Sequence, residues 1–94
     1  MELVFHRKER AMKRTEFESL FRSKGISLKA NDIYVGEKNC CPFAYGCYEE
    51  NGKWVVYSNS ERQETSILLV ADEDRAFDYF ESIVTGELEI RGVL

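Results

Sequence analysis

Hydrophobic and polar positions alternate most clearly between Phe43 and Ala71, and that stretch sets the expected architecture. Phe-Ala-Tyr-Gly-Cys-Tyr-Glu-Glu and Lys-Trp-Val-Val-Tyr-Ser are short, aromatic and β-rich, and they meet at Asn51-Gly52. A type I′ turn needs positive φ at both central residues, which Asn and Gly tolerate best, so a hairpin is predicted with strands near 43–50 and 53–58. Side chains alternate along a strand, placing Phe43, Tyr45 and Cys47 on one face and Ala44, Gly46 and Tyr48 on the other. Both faces carry apolar groups: one is expected to meet helices, the other to be partly covered or used for contact. Ser-Ile-Leu-Leu-Val-Ala follows a polar connection, and its continuous apolar centre, Ile67–Val70, predicts a central or well-covered strand over 64–71.

Helical periodicity flanks these strands. Thr15 opens a Thr-Glu-Phe-Glu capping box with Glu18, Phe17, Leu20 and Phe21 follow at helical spacing, and Gly25 stands where a terminating glycine belongs. A helix through Lys24 is predicted, starting at Thr15 or, if residues 1–14 are helical rather than an arm, near Glu2. Ile26–Lys29 reads as a short strand or a packed loop, and Ile33-Tyr34-Val35 as a short strand ending at Gly36. Asp72, with Glu73 and Asp74 in the first turn, caps a second helix whose stripe is Ala76, Phe77, Phe80, Ile83 and Val84. Gly86 is its predicted stop, leaving Glu87–Leu94 as an edge strand or tail. The fold class expected is α+β: an antiparallel sheet of three to four strands, with an N-terminal and a C-terminal helix packed on one face.

Composition narrows the functional classes. Ninety-four residues argue for a single domain over 1–94. No apolar run is long enough for a membrane span, and the order of charge and apolar residues at the N-terminus does not suit a secretory signal. Three cysteines, two of them adjacent, do not make a disulfide framework; a reducing cytoplasm is the expected location. Residues 1–24 carry a net +3 and residues 25–94 a net −7, which together give the −4 of the whole chain. An acidic body repels nucleic acid and attracts cationic partners, although charge of this size also serves simply to keep a small domain dissolved.

Candidate chemistry is sparse. Cys40, Cys41, Cys47 and His6 lack zinc-ligand spacing, and packing thiols with a surface histidine is the simpler reading. No nucleophile–base–acid set can be assembled, no phosphate-binding glycine motif is present, and neither cofactor nor catalytic residue is expected. Tyr45, Tyr48, Trp54 and Tyr57 resemble a base-stacking platform, but only Lys53 and Arg62 lie nearby, so nucleic-acid binding is not expected. Trp54 is expected in the core. Carboxylates at Glu49, Glu50, Glu61 and Glu64 form a solvated face or a partner-binding one.

The segments Asn51-Gly52-Lys53-Trp54-Val55-Val56-Tyr57, Glu61-Arg62 and Asp72-Glu73-Asp74-Arg75-Ala76, with Phe80 downstream, together resemble small immunity proteins of bacterial polymorphic-toxin systems, in particular the immunity protein 59 type. The resemblance spans residues 51–84 and departs where a glycine commonly follows the Glu-Arg pair, here Gln63. It implies a non-enzymatic, cytoplasmic protein that neutralises a cognate toxin domain by direct binding. Trp54 and Tyr57 would be scaffold or interface aromatics, and Glu61 and Arg62 an ion pair. Acidic groups would meet a basic toxin. The contact set expected is Tyr48, Glu49, Glu50, Tyr57, Glu61, Arg62 and Glu64. The alternative is a small structural or regulatory domain acting as a homodimer, joined by edge-strand pairing or by the aromatic face.

Overall fold

The computed structural model describes residues 12–94; the reading of residues 1–11 as helix or arm, and His6, lie outside it. In chain order the elements are α1 (Arg14–Ser23), a 3-10 turn (Lys29–Asn31), β1 (Ile33–Val35), β2 (Tyr45–Glu50), β3 (Lys53–Asn59), β4 (Thr65–Ala71) and α2 (Glu73–Ile90). The four strands lie in the order β1-β2-β3-β4, and the helices pack on one face of the sheet. This is the α+β architecture expected, with mostly antiparallel pairing.

α1 begins one residue before Thr15. Lys13 is the extended N-cap residue, and its N–H donates to Glu16 Oε1 at 2.8 Å. The Arg14 N–H donates to Glu73 Oε2 of α2 at 2.9 Å. Carboxylates from two helices thus satisfy the orphan donors, and the Thr15–Glu18 capping box is not used. At the other end Gly25, at φ 72°, lets the Ile26 N–H reach Phe21 O at 3.0 Å and its own N–H reach Arg22 O at 2.9 Å. That is a Schellman closure.

α2 closes the same way, but at Gly92 rather than Gly86. Gly92 has φ 79°, and the Val93 N–H reaches Leu88 O at 2.9 Å. Continuing the helix past Gly86 costs about 1 kcal/mol relative to alanine. It also extends the stripe Ala76, Phe77, Phe80, Val84 by one turn and buries Leu88 completely, worth about 2 kcal/mol. The burial wins, so the segment expected as strand or tail is helical to Ile90.

Between helices and sheet lies an aromatic core. Phe17 stacks on Phe80 at 5.0 Å between ring centroids, and Trp54 meets Phe77 edge-on at 5.0 Å. Cys47 and Val56, directly opposite each other on β2 and β3, face the same core and are fully buried.

The hairpin turns at Asn51 (φ 54°) and Gly52 (φ 80°) as predicted. Two features of the sheet differ from expectation. Among the described residues β4 is an outer strand, paired only with β3, and Ile67 and Val70 are more than half exposed. β1 runs parallel to β2. A parallel neighbour requires the chain to cross back over the sheet. Residues 36–44 make that crossing without a helix, on the face opposite α1 and α2.

Candidate functional site

Opposite residues of an antiparallel pair share a face, so the register places Gly46, Tyr48, Val55, Tyr57, Ile67 and Val70 on the side away from the helices. One end of this far face is roofed by the crossing loop and fastened by two side chains of β3. Tyr57 lies across Gly46, where a Cβ would collide with its ring. Its hydroxyl donates to Glu37 O at 3.0 Å and accepts from the Asn39 N–H at 2.8 Å. Burial pushes its phenol pKa upward. Asn59 donates to Asn39 O at 2.7 Å and Cys41 O at 2.9 Å, and its Oδ1 accepts from the Thr65 hydroxyl at 2.8 Å. Every polar atom of this buried amide side chain is therefore in use.

The loop's last turn holds Phe43 at φ 64° with the residue 57% exposed. A bulky residue in the left-handed region is strained, by about 1–2 kcal/mol, and here more than half of the residue stays exposed. The Phe43 N–H approaches Ser60 O at 3.4 Å, which sets the phenyl-bearing residue beside the β3–β4 turn. That turn is pinned by Ser60, whose Oγ accepts from the N–H groups of Arg62 (3.2 Å) and Glu64 (3.1 Å). Gln63 takes φ 68° there, a backbone conformation that favours the glycine common in the resembling family.

The expected contact residues do not form one patch. Tyr48, Glu49 and Glu50 sit at the hairpin tip, whereas Glu61, Arg62 and Glu64 occupy the opposite end of β3, roughly 20 Å away at strand rise. Glu50 shares the far face with Tyr48, whose hydroxyl approaches Glu50 Oε1 at 3.5 Å, but Glu49 lies on the helix face opposite Trp54. Tyr57 is fully buried in the free chain and shapes the surface from below. Glu61 and Arg62, both exposed, do not form an ion pair with each other. Between the two ends, Ile67, Leu68 and Val70 are exposed on β4. Phe43 and these three residues escaped the sequence reading. The only signal for them was the absence of polar alternation in Ile67–Val70, which does not distinguish a buried strand from a bare one.

Little in the described residues points to reaction chemistry. Cys47 is buried and its thiol is pushed up to about 12 by that burial, so it stays protonated at neutral pH. Cys41 Sγ lies 3.8 Å from Asp32 Oδ1 in the crossing loop, away from Cys47. Among the described residues no group of three or more His, Cys, Asp or Glu side chains is placed to hold a metal ion. Two open recesses, of about 380 and 330 Å³, are lined by Lys53, Asp72 and Arg75 with β4 residues, and by Glu18, Arg22 and Lys29 with the residues after α1. No described helix is long and apolar enough to cross a membrane.

Compared with known proteins, the chain matches no family model, no curated protein and no solved structure.

Proposed function

We propose that this protein is a non-enzymatic binding domain that neutralises a cognate bacterial toxin in the cytoplasm, as the resemblance over residues 51–84 implies. The observation that carries the reading is Phe43: an exposed aromatic ring held in a strained backbone conformation, beside a turn bearing Glu61, Arg62 and Glu64. Strain at a bulky residue that stays mostly exposed in the free molecule favours use by a partner. An aromatic anchor ringed by charge is also the composition of an interface centre and its rim. Glu61 and Glu64 outnumber Arg62, and a body that is net −7 over residues 25–94 accelerates encounter with a basic toxin domain.

The test begins with the neighbouring reading frame in the source genome, where a large gene with a variable C-terminal toxin domain is expected. Co-production of this chain with that domain in a bacterial host should restore growth, and Phe43→Ser combined with Glu61→Lys should abolish the rescue in a protein that still folds. Growth arrest that persists in the presence of the folded wild-type chain overturns the reading.

A further inference from the structure

β1 is held at both ends by arginines, one from each helix. It is three residues long, only Ile33 of it is buried, and among the described residues it pairs with β2 alone. At its end, Arg14 Nη2 of α1 donates to Val35 O at 3.4 Å. Before its start, Arg91 Nη1 at the close of α2 donates to Asn31 O of the 3-10 turn at 2.7 Å. The second hold is the tighter, and it is organised by one carboxylate. Glu87 Oε2 accepts from Arg91 Nε at 2.9 Å, and Glu87 Oε1 accepts from the Tyr45 hydroxyl at 3.2 Å. Tyr45 is the β2 residue paired with Ile33, and its N–H donates to Asp32 O at 3.0 Å. The Arg91 and Glu87 side chains are 25% and 24% exposed, so water screens these charge-assisted bonds only in part.

The stretch of α2 that supplies this hold is the least anchored part of the helix. Before Gly86, Ala76, Phe77, Phe80 and Val84 are fully buried; after it, only Leu88 is. Ile90 is 83% exposed. A Cβ at Gly86 would meet nothing within 4 Å, so no close approach requires the glycine. A glycine without a packing reason weakens the helix where it stands. Segments with few buried apolar contacts open at lower free energy than the core they lie on. Here two such segments, the end of α2 and the entry to β1, rest on each other through Arg91 and Glu87, so opening either one costs the other its partner.

We propose that residues 87–94 and the 3-10 turn with β1 form one latch, which opens as a unit about Gly86 while the hairpin, β4 and the rest of α2 stay folded. Arg91 is the joint between its two halves. Opening bares Leu88 and Ile33, both members of the core, and frees the β2 edge from Tyr45 to Cys47. The inference goes beyond toxin binding and does not rest on it. Native-state hydrogen exchange of the full chain, followed against urea, tests it. The amides of Leu88, Glu89 and Ile90 and that of Ile33, which donates to Leu28 O at 3.0 Å, should share one urea dependence and exchange about a hundredfold faster than those of Phe80 and Val84. Arg91→Ala should speed exchange about tenfold in both halves, and Gly86→Ala should slow it about fivefold. Amides 88–90 that open only with Phe80 and Val84 would show no latch and overturn the proposal. An Arg91→Ala effect that leaves Ile33 unmoved would separate the halves, and a Gly86→Ala variant with unchanged exchange would remove the hinge; either result overturns it too.

Discussion

The two faces of the sheet are covered by different means. On one, two helices lay Phe17, Phe21, Phe77 and Phe80 over Trp54, Cys47 and Val56, and cover comes from apolar area. On the other, none of the described helices lies; residues 36–44 roof one end, held by the Tyr57 hydroxyl and the Asn59 amide, and Ile67 and Val70 on the β4 side are more than half exposed. The first arrangement spreads its energy over many weak contacts. The second concentrates it in a few groups that must fit, and it leaves room for surface. The cause of the difference is β1: joining it parallel to β2 obliges the chain to cross the sheet, and helices already occupy the other face.

Substitutions can separate the two modes. The largest loss is expected on the helix face, where Phe77→Ala removes a ring touching Phe17, Phe80 and Trp54 and should cost about 4 kcal/mol in urea denaturation. Gly46→Ala should cost about 3 kcal/mol, because the new methyl displaces Tyr57 and with it the roof. Combining Gly46→Ala with Tyr57→Leu should cost less than the sum of the two, which a double-mutant cycle in urea would show. A strictly additive cycle would mean that the Gly46–Tyr57 contact does not hold the roof.

Alkaline unfolding probes the helix face again through Cys47. Its thiol is raised by burial from 9.0 to about 12, so the folded state keeps a proton that the unfolded state releases. The associated stability is whole below pH 9 and drains away as pH rises toward 12, by about 3 kcal/mol across that window. Urea titrations under reducing conditions should show this decline in the wild type and a flatter one in Cys47→Ala. Tyr57→Phe keeps the ring and loses both hydroxyl bonds, so a cost of about 1–2 kcal/mol is expected, with faster hydrogen exchange at Asn39. Smallest of all, Ile67→Ser on the β4 side should shift stability by under about 0.5 kcal/mol, since the residue is already more than half exposed.

What could be read from residues alone was what local chemistry decides. Asn51-Gly52 announces its turn, Gly25 its helix end and Asp72 its helix start, because each preference is set within four or five neighbours. Strand order is not set locally. Ile67–Val70 has the composition of a central strand, and only the placement of β1 on the far side of β2 makes it an edge. Gly86 and Gly92 carry equal local weight as stops; the choice between them rests on burying Leu88 against a core assembled from both ends of the chain. Gly46 was a usable signal, since a glycine inside a strand marks close approach, but nothing local names Tyr57 as the group that approaches. The contact set proposed from sequence mixed exposed carboxylates with Tyr57, whose buried position depends on a loop crossing that no periodicity reveals.

The crossing loop also constrains the order of assembly. Its fasteners, Tyr57 and Asn59, come later in the chain than the loop itself, and the rings that receive Phe17 come later still, in α2. During synthesis from the N-terminus, α1, β1 and the loop emerge before Tyr57, Asn59 and α2, which hold them. Cooperative structure must therefore wait until the final helix is free of the ribosome, and β1 should dock after the hairpin has formed, giving low φ-values at Ile33 and higher ones at Val56.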